Sequence, residues 1–300
     1  LKMKNKARLI TAMVTPMTAS GEVDLGACAE LARILVNNGS DGIVVTGTTG
    51  ESPTLSNEEK ASIWGSVKAA VGDDIFVIAG ATNYSTQESI AGADAALNSG
   101  ADALLLTVPY YNKPNQEGLF EHFKTIAEAT PLPCVLYNVP SRTSLNMSAE
   151  TTIKLSQLDN IIGIKEASSD MDQIAKIINS TDADFLVWSG NDADIISVMA
   201  MGGDGVVSVA SHIVGNELKS IINFIVKGDI NSANNLNSQL LDLYDVLFLE
   251  SNPMPIKWAL NHLGFDAGKP RLPLIEPNQN TRKKLVNEIN KLSNNYYSEN

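Results

Sequence analysis

The run IIGIKEA (161–167) places a lysine at the end of a short, β-branched stretch bounded by polar residues, the pattern of a buried strand. Strict alternation puts Lys165 on the same face as Ile161 and Gly163. If that face lines a barrel interior, an ammonium stands among hydrocarbon. Desolvation favours the neutral amine, which is the nucleophilic form. The chemistry on offer is a Schiff base with a carbonyl substrate. The alternative is a strand-end lysine that reaches water or pairs with Glu166, and this stretch alone leaves both open.

Other reactive groups fall at the ends of neighbouring apolar runs. GTTGE (47–51) sets Thr48 and Thr49 between glycines, a backbone nest suited to a carboxylate or phosphate. PYYN (109–112) brings Tyr110 and Tyr111, and SGND (189–192) brings Gly190. YNVPSRT (137–143) brings Tyr137, a residue able to move protons inside apolar packing, and Arg142, whose planar fork suits a carboxylate. Each has a plainer reading: a loop of ordinary composition, a packed tyrosine, aromatics covering an interface, a surface arginine. His122, His212 and His262 are scattered with no metal-ligand spacing, and no Ser–His–Asp or Cys–His set stands out, so no metal is expected. GGDG (202–205) reads as a tight turn before a strand, a structural feature.

Eight strand-like runs must position these groups: 9–16, 42–50, 75–82, 103–109, 133–140, 161–167, 185–190 and 205–210. Helical spacing appears between several of them, over 24–39, after a Ser56/Glu59 capping box, over 85–100 and over 118–129. This alternation predicts a closed (β/α)8 TIM barrel, whose functional groups gather at the C-terminal strand ends. No G-x-G-x-x-G follows the first strand, which counts against a dinucleotide fold. A helix over 216–226 closes the barrel, and helices over 231–249, 256–263 and 280–292 follow, with Pro253 and Pro255 as breakers. The expected division is a catalytic barrel, 1–230, and a C-terminal helical region, 231–300, whose tail 294–300 frays. Leu1 in place of Met reads as a mark of processing or as a cloning scar, and residues 1–6 are set aside.

At 300 residues and 44% hydrophobic, the chain suits one large soluble domain with an appendage. It carries no apolar run of membrane-spanning length and no secretory pattern at its start. A net charge of −12 argues against nucleic-acid binding and requires a local positive site for any anionic substrate. Cys28 and Cys134 alone make no disulfide framework, so buried thiols in a reducing cytoplasm are expected.

Taken in order, LITAMVTP, GTTGES, TVPYYNKPNQEGLFEHF, LYNVPSRT, IIGIKEAS, WSGND, GVVSVAS and NPMPIKWAL resemble the dihydrodipicolinate synthase (4-hydroxy-tetrahydrodipicolinate synthase) family over nearly the whole chain. That family belongs to the pyruvate-dependent class I aldolases, with N-acetylneuraminate lyase. The resemblance implies condensation of pyruvate with L-aspartate 4-semialdehyde in lysine and diaminopimelate biosynthesis, through a covalent lysine–pyruvate imine and without a metal or organic cofactor. It implies Lys165 as the imine-forming residue, Tyr137 as proton donor and acceptor, and Thr48 and Tyr111 as the rest of a proton relay. Thr49 and the backbone at Gly190 and Val207 would hold the pyruvate carboxylate, and Arg142 that of the semialdehyde. It further implies a cytoplasmic homotetramer, a dimer of tight dimers in which Tyr111 crosses into the neighbour's site, with no nucleic-acid or membrane partner.

The sister sugar-acid aldolases share the barrel, the lysine and the tyrosine; an inactive barrel that binds a small acid is the non-enzymatic alternative. Two threonines in GTTGE and the cation at Arg142 favour the synthase. Many members bind lysine as an inhibitor at the dimer interface, and the matching positions here are Ser52, Pro53, Asn57, Lys60, Tyr84, Glu88 and Tyr110. Lys60 and Tyr84 stand where lysine-sensitive bacterial members usually carry histidine and asparagine. A fixed cation opposes an inhibitor's ammonium, so weak or absent lysine inhibition is expected.

Overall fold

The computed structural model describes residues 7–292 and Tyr297. Its centre is eight parallel strands: β1 (Leu9–Ala12), β2 (Gly42–Val45), β3 (Phe76–Gly80), β4 (Ala103–Thr107), β5 (Cys134–Asn138), β6 (Ile161–Glu166), β7 (Leu186–Ser189) and β8 (Gly205–Ser208). They pair in sequence order, and β8 returns to β1, so the sheet closes as a (β/α)8 barrel. The helices are α1 (Leu25–Asn37), α2 (Asn57–Val71), α3 (Thr86–Asn98), α4 (Gln116–Glu128), α5 (Pro140–Thr143), α6 (Ala149–Leu155), α7 (Met171–Ser180), α8 (Ile195–Ala200), α9 (Ser211–Val226), α10 (Ile230–Ser238), α11 (Leu241–Leu247), α12 (Met254–Leu263) and α13 (Gln279–Ile289). Short polar residues start many of them. Ser56 and Glu59 form the expected capping box on α2, and Asp24, Ser85, Asn115 and Asp170 cap their helices through a side-chain oxygen.

Every strand is shorter than its apolar run. The chain leaves the ladder while still apolar because it must curl over the barrel mouth. At the end of β2, for instance, Thr46 takes φ 55°, a left-handed turn out of the sheet. The residues expected as strand ends are therefore loop residues at the mouth, where the candidate groups lie.

The strict alternation expected of β6 fails at its start. Cys134 pairs with Ile161 but Val135 pairs with Gly163, so Ile162 is an extra residue, a β-bulge. Ile161 consequently packs in the outer layer, between strands and helices, whereas Ile162 joins the inner layer with Val135, Tyr137, Leu186 and Trp188. Ile161 is thus on the opposite face from Lys165. Gly163 faces inward under the Trp188 ring: a Cβ there would stand 2.3 Å from the Leu186 carbonyl oxygen and 2.9 Å from that ring, so only glycine fits.

The helix expected over 231–249 is two helices, because its halves bury against different partners: α10 against α9, and α11 against α12 and α13. Pro255 does not break α12 but sits in its first turn, where a missing N–H costs nothing. The expected fraying of 294–300 lies outside the described residues except at Tyr297, which is buried and donates its hydroxyl to the His212 carbonyl at 2.6 Å. No helix among the described residues is long and apolar enough to cross a membrane.

Candidate active site

A cavity of about 300 Å³ opens at the C-terminal ends of the strands. Its wall includes Thr48, Thr49, Tyr137, Arg142, Lys165, Gly190 and Asn191, together with Val209, Phe248, Ser251 and Asn252. Lys165 and Tyr137 are paired across the ladder between β5 and β6, and both are 5% exposed. The Lys165 Nζ stands 4.3 Å from the centroid of the Tyr137 ring. Among the described residues it has no hydrogen-bond or ion-pair partner. Glu166, the alternative partner, points the other way and is fully engaged by Asn138, Ser168 and Gln173.

The turn 46–51, which contains GTTGE, is fastened from five directions. Thr15 Oγ1 donates to the Gly50 carbonyl at 2.7 Å and Trp64 Nε1 donates to Thr46 Oγ1 at 2.7 Å. Asn252 Nδ2 donates to Thr49 Oγ1 at 2.8 Å. Glu51, 3% exposed, accepts from Lys257 Nζ at 2.7 Å and from the Arg271 backbone N–H at 2.7 Å. Gly50 lies so close to Thr46 that a Cβ would meet its backbone at 2.9 Å. Burial pushes the Lys257 pKa down, and the Glu51 carboxylate opposes that shift.

Neither Asn252 nor the Glu51–Lys257 pair was singled out by sequence reasoning. The only signal was their place in NPMPIKWAL and GTTGE, with Lys257 set among apolar residues. Asn252 also joins the two candidate substrate-binding groups. Its side chain holds Thr49, and its carbonyl accepts from Arg142 at 3.1 Å.

Two of the expected catalytic and substrate-binding residues are not brought to this cavity. Val207 lies in the inner barrel layer, and Val209, two residues on, forms the wall on that side. Tyr111 is 91% exposed, with φ 72°, and lines no part of the cavity. Thr48 lines both this cavity and a neighbouring one of about 200 Å³ bounded by Ser52, Pro53, Tyr110 and Arg142. Of the positions matched to an inhibitor site, Ser52, Pro53 and Tyr110 line that second cavity, and Tyr84 packs its ring edge-on to Tyr110 at 5.2 Å. Asn57, Lys60 and Glu88 are outside its wall, in the first turns of α2 and α3. Burial lowers the Lys60 pKa.

Val209 is held at both ends. Its N–H, and that of Ala210, donate to Asp192 Oδ2 at 3.2 and 3.0 Å, and its carbonyl accepts from His212 Nδ1 at 2.8 Å. That tautomer leaves His212 Nε2 to accept from the Val14 N–H at 3.2 Å. Burial raises the Asp192 pKa, and hydrogen bonds from Ser208 and from the Ala210 and Val209 N–H groups, with a smaller effect of the Lys165 charge, counteract it. Both cysteines are buried, their thiols pushed up to about 12. Among the described residues, no three His, Cys, Asp or Glu side chains converge as metal ligands.

The profile of the dihydrodipicolinate synthetase family matches residues 5–292. A 4-hydroxy-tetrahydrodipicolinate synthase of Dehalococcoides mccartyi is 55% identical over 279 residues, covering 93% of this chain and 94% of that protein. Among solved structures, the Cyanidioschyzon merolae dihydrodipicolinate synthase with lysine bound superimposes with a TM-score of 0.94 at 44% identity, over 95% of this chain and 98% of that one. A dihydrodipicolinate synthase from Bacillus anthracis gives 0.95 at 41% identity, over 97% and 100% of the two chains.

The buried histidine that holds Val209 from behind gives a pH dependence. Burial holds the His212 pKa at about 4, against 6.5 ordinarily. Between those values the unfolded chain binds a proton that the folded chain refuses, so stability is intact above pH 6.5 and falls as pH drops toward 4. The loss from this one residue is about 3 kcal/mol. Urea unfolding at pH 7 and pH 4.5 is expected to show a smaller acid loss for His212→Gln than for the wild type; parallel losses would contradict it.

Proposed function

The chain belongs to the dihydrodipicolinate synthetase family, and we propose that it condenses pyruvate with L-aspartate 4-semialdehyde, through an imine on Lys165, to give 4-hydroxy-tetrahydrodipicolinate. The observation that carries the reading is Lys165, buried and without a polar partner among the described residues, beside the Tyr137 ring in a cavity walled by Thr48, Thr49 and Arg142. A lysine in that setting is available to a carbonyl substrate.

The neutral amine of Lys165 attacks the ketone of pyruvate, and loss of water gives an iminium. The iminium draws electrons from the adjacent methyl, which loses a proton and becomes an enamine. The enamine carbon attacks the aldehyde of the semialdehyde, and the semialdehyde's own amine then displaces Lys165 as the ring closes. Each step moves a proton, and in this reading Tyr137, whose ring lies 4.3 Å from the Lys165 Nζ, gives and takes it. Thr49 and the backbone near Gly190 receive the pyruvate carboxylate, and Arg142, at the mouth, the second carboxylate. The imine supplies the electron sink, so the reaction as written calls on no metal or organic cofactor.

Thr48 and Tyr111 complete the proton path in this reading. An aromatic ring 91% exposed on one chain is suited to burial by a second copy, so Tyr111 is assigned to a neighbour's site in a tight dimer, two of which form the tetramer. The two buried, unbridged thiols suit the reducing cytoplasm.

Turnover of pyruvate with L-aspartate 4-semialdehyde is expected for the wild type and is expected to vanish in Lys165→Ala. A folded wild type that is inert with this pair but releases pyruvate from a 2-keto-3-deoxy sugar acid would contradict the reading. Lysine is expected to inhibit weakly. The Lys60 ammonium has no ion-pair partner among the described residues and would oppose the inhibitor's own ammonium. Complete inhibition of the wild type by sub-millimolar lysine would refute that.

A further inference from the structure

We infer that Asn138 and Glu166, on the outer face of the barrel, are positioning residues that set the approach of Tyr137 to Lys165 on the inner face. The inference rests on the imine reading of Lys165 and extends it to two residues that do not touch the substrate cavity.

The observation is a double pairing. Across the parallel ladder of β5 and β6, Tyr137 stands opposite Lys165, and the next residues, Asn138 and Glu166, stand opposite each other. Alternation sends the first pair inward and the second outward. Asn138 is 0% and Glu166 1% exposed, and Asn138 Nδ2 reaches both carboxylate oxygens, at 3.1 and 3.0 Å. The rest of the carboxylate is met by the Ser168 N–H at 2.8 Å and by Gln173 Nε2 at 3.1 Å. All these groups donate, so the site is built for an ionised carboxylate. Burial pushes the Glu166 pKa up, and the donors oppose that shift. Asn138 is fixed in turn, its Oδ1 accepting from the Met147 N–H at 3.0 Å.

The ladder needs such a clamp. Of the strand pairs among the described residues, only β5–β6 has a register shift, at Cys134/Val135. A slip of one residue would turn Lys165 out of the barrel interior. The clamp is at the other end of that ladder, next to the reacting pair, and its bonds exist in one register only. The backbone passes the constraint on, because the Glu166 carbonyl accepts from Gly190, in the cavity wall, at 2.7 Å.

The test is the rate of imine formation, read by quenching enzyme and pyruvate with borohydride at successive times. The endpoint, adduct per chain, counts competent sites; the rate constant reports their geometry. Glu166→Gln and Asn138→Ser are expected to slow the rate at least about 10-fold, at an endpoint like that of the wild type. The double variant Asn138→Asp/Glu166→Gln, which keeps one carboxylate and one amide with the hydrogen bond reversed, is expected to recover much of the rate. A purely structural role would lower the endpoint and leave the rate constant of surviving sites unchanged. That result, in either single variant, would overturn the inference. A variant that does not fold leaves the other single variant to decide by the same criterion. Absence of any adduct in the wild type would instead remove the imine reading, and the inference with it.

Discussion

The register between β5 and β6 is the constraint on which the site depends. Parallel strands pair residue by residue, and the face a side chain occupies follows from its register alone. With Tyr137 opposite Lys165, a phenol and an amine meet inside the barrel, with the Nζ 4.3 Å from the ring centroid. The bulge at Ile162 makes this possible. It absorbs one residue at the start of β6, so Ile161 packs outward and Ile162 inward, and Lys165 then arrives on the inner face. The inward Gly163, fitted under Trp188, fills the space below.

Among the described residues two lysines are buried, and their surroundings separate a structural role from a chemical one. Lys257 is 0% exposed and satisfied, bonded to Glu51 at 2.7 Å and to the Lys269 carbonyl at 3.1 Å. Breaking such a pair leaves the other charge buried and costs about 3–5 kcal/mol. Its effect is to fasten the GTTGE loop, and with it Thr48 and Thr49, to α12. Lys165 has no comparable partner among the described residues, and its surroundings are the Tyr137 ring and the cavity. A buried amine left without a polar partner is costly to the fold. Such a cost is tolerated where the amine is to bond with something that arrives later.

Much of this was legible in the sequence. Eight apolar runs in alternation gave the closed barrel, Ser56 and Glu59 marked the start of α2, and the polar clusters after the runs are loops at one mouth. The strand ends were overdrawn because apolar character persists where backbone geometry, such as φ 55° at Thr46, already ends the ladder. The face of Ile161 was misread because period-two alternation contains no sign of a bulge. Asn252 and Lys257 were missed because their partners, Thr49 and Glu51, lie more than 200 residues away in the chain, and contacts at that range leave no local pattern. Val207 lies beneath the cavity wall rather than in it, since Val209, after the end of β8, turns over the mouth. Tyr111 is exposed and lines no part of the barrel's own cavity, so its expected role depends on a second chain.

The most direct test of this account is to reduce the protein with borohydride in the presence of pyruvate and locate the adduct by peptide mass mapping. The account predicts modification on the peptide that carries Lys165, with the peptide that carries Lys257 unmodified. An adduct on Lys257, or none on Lys165 in folded protein, would contradict it.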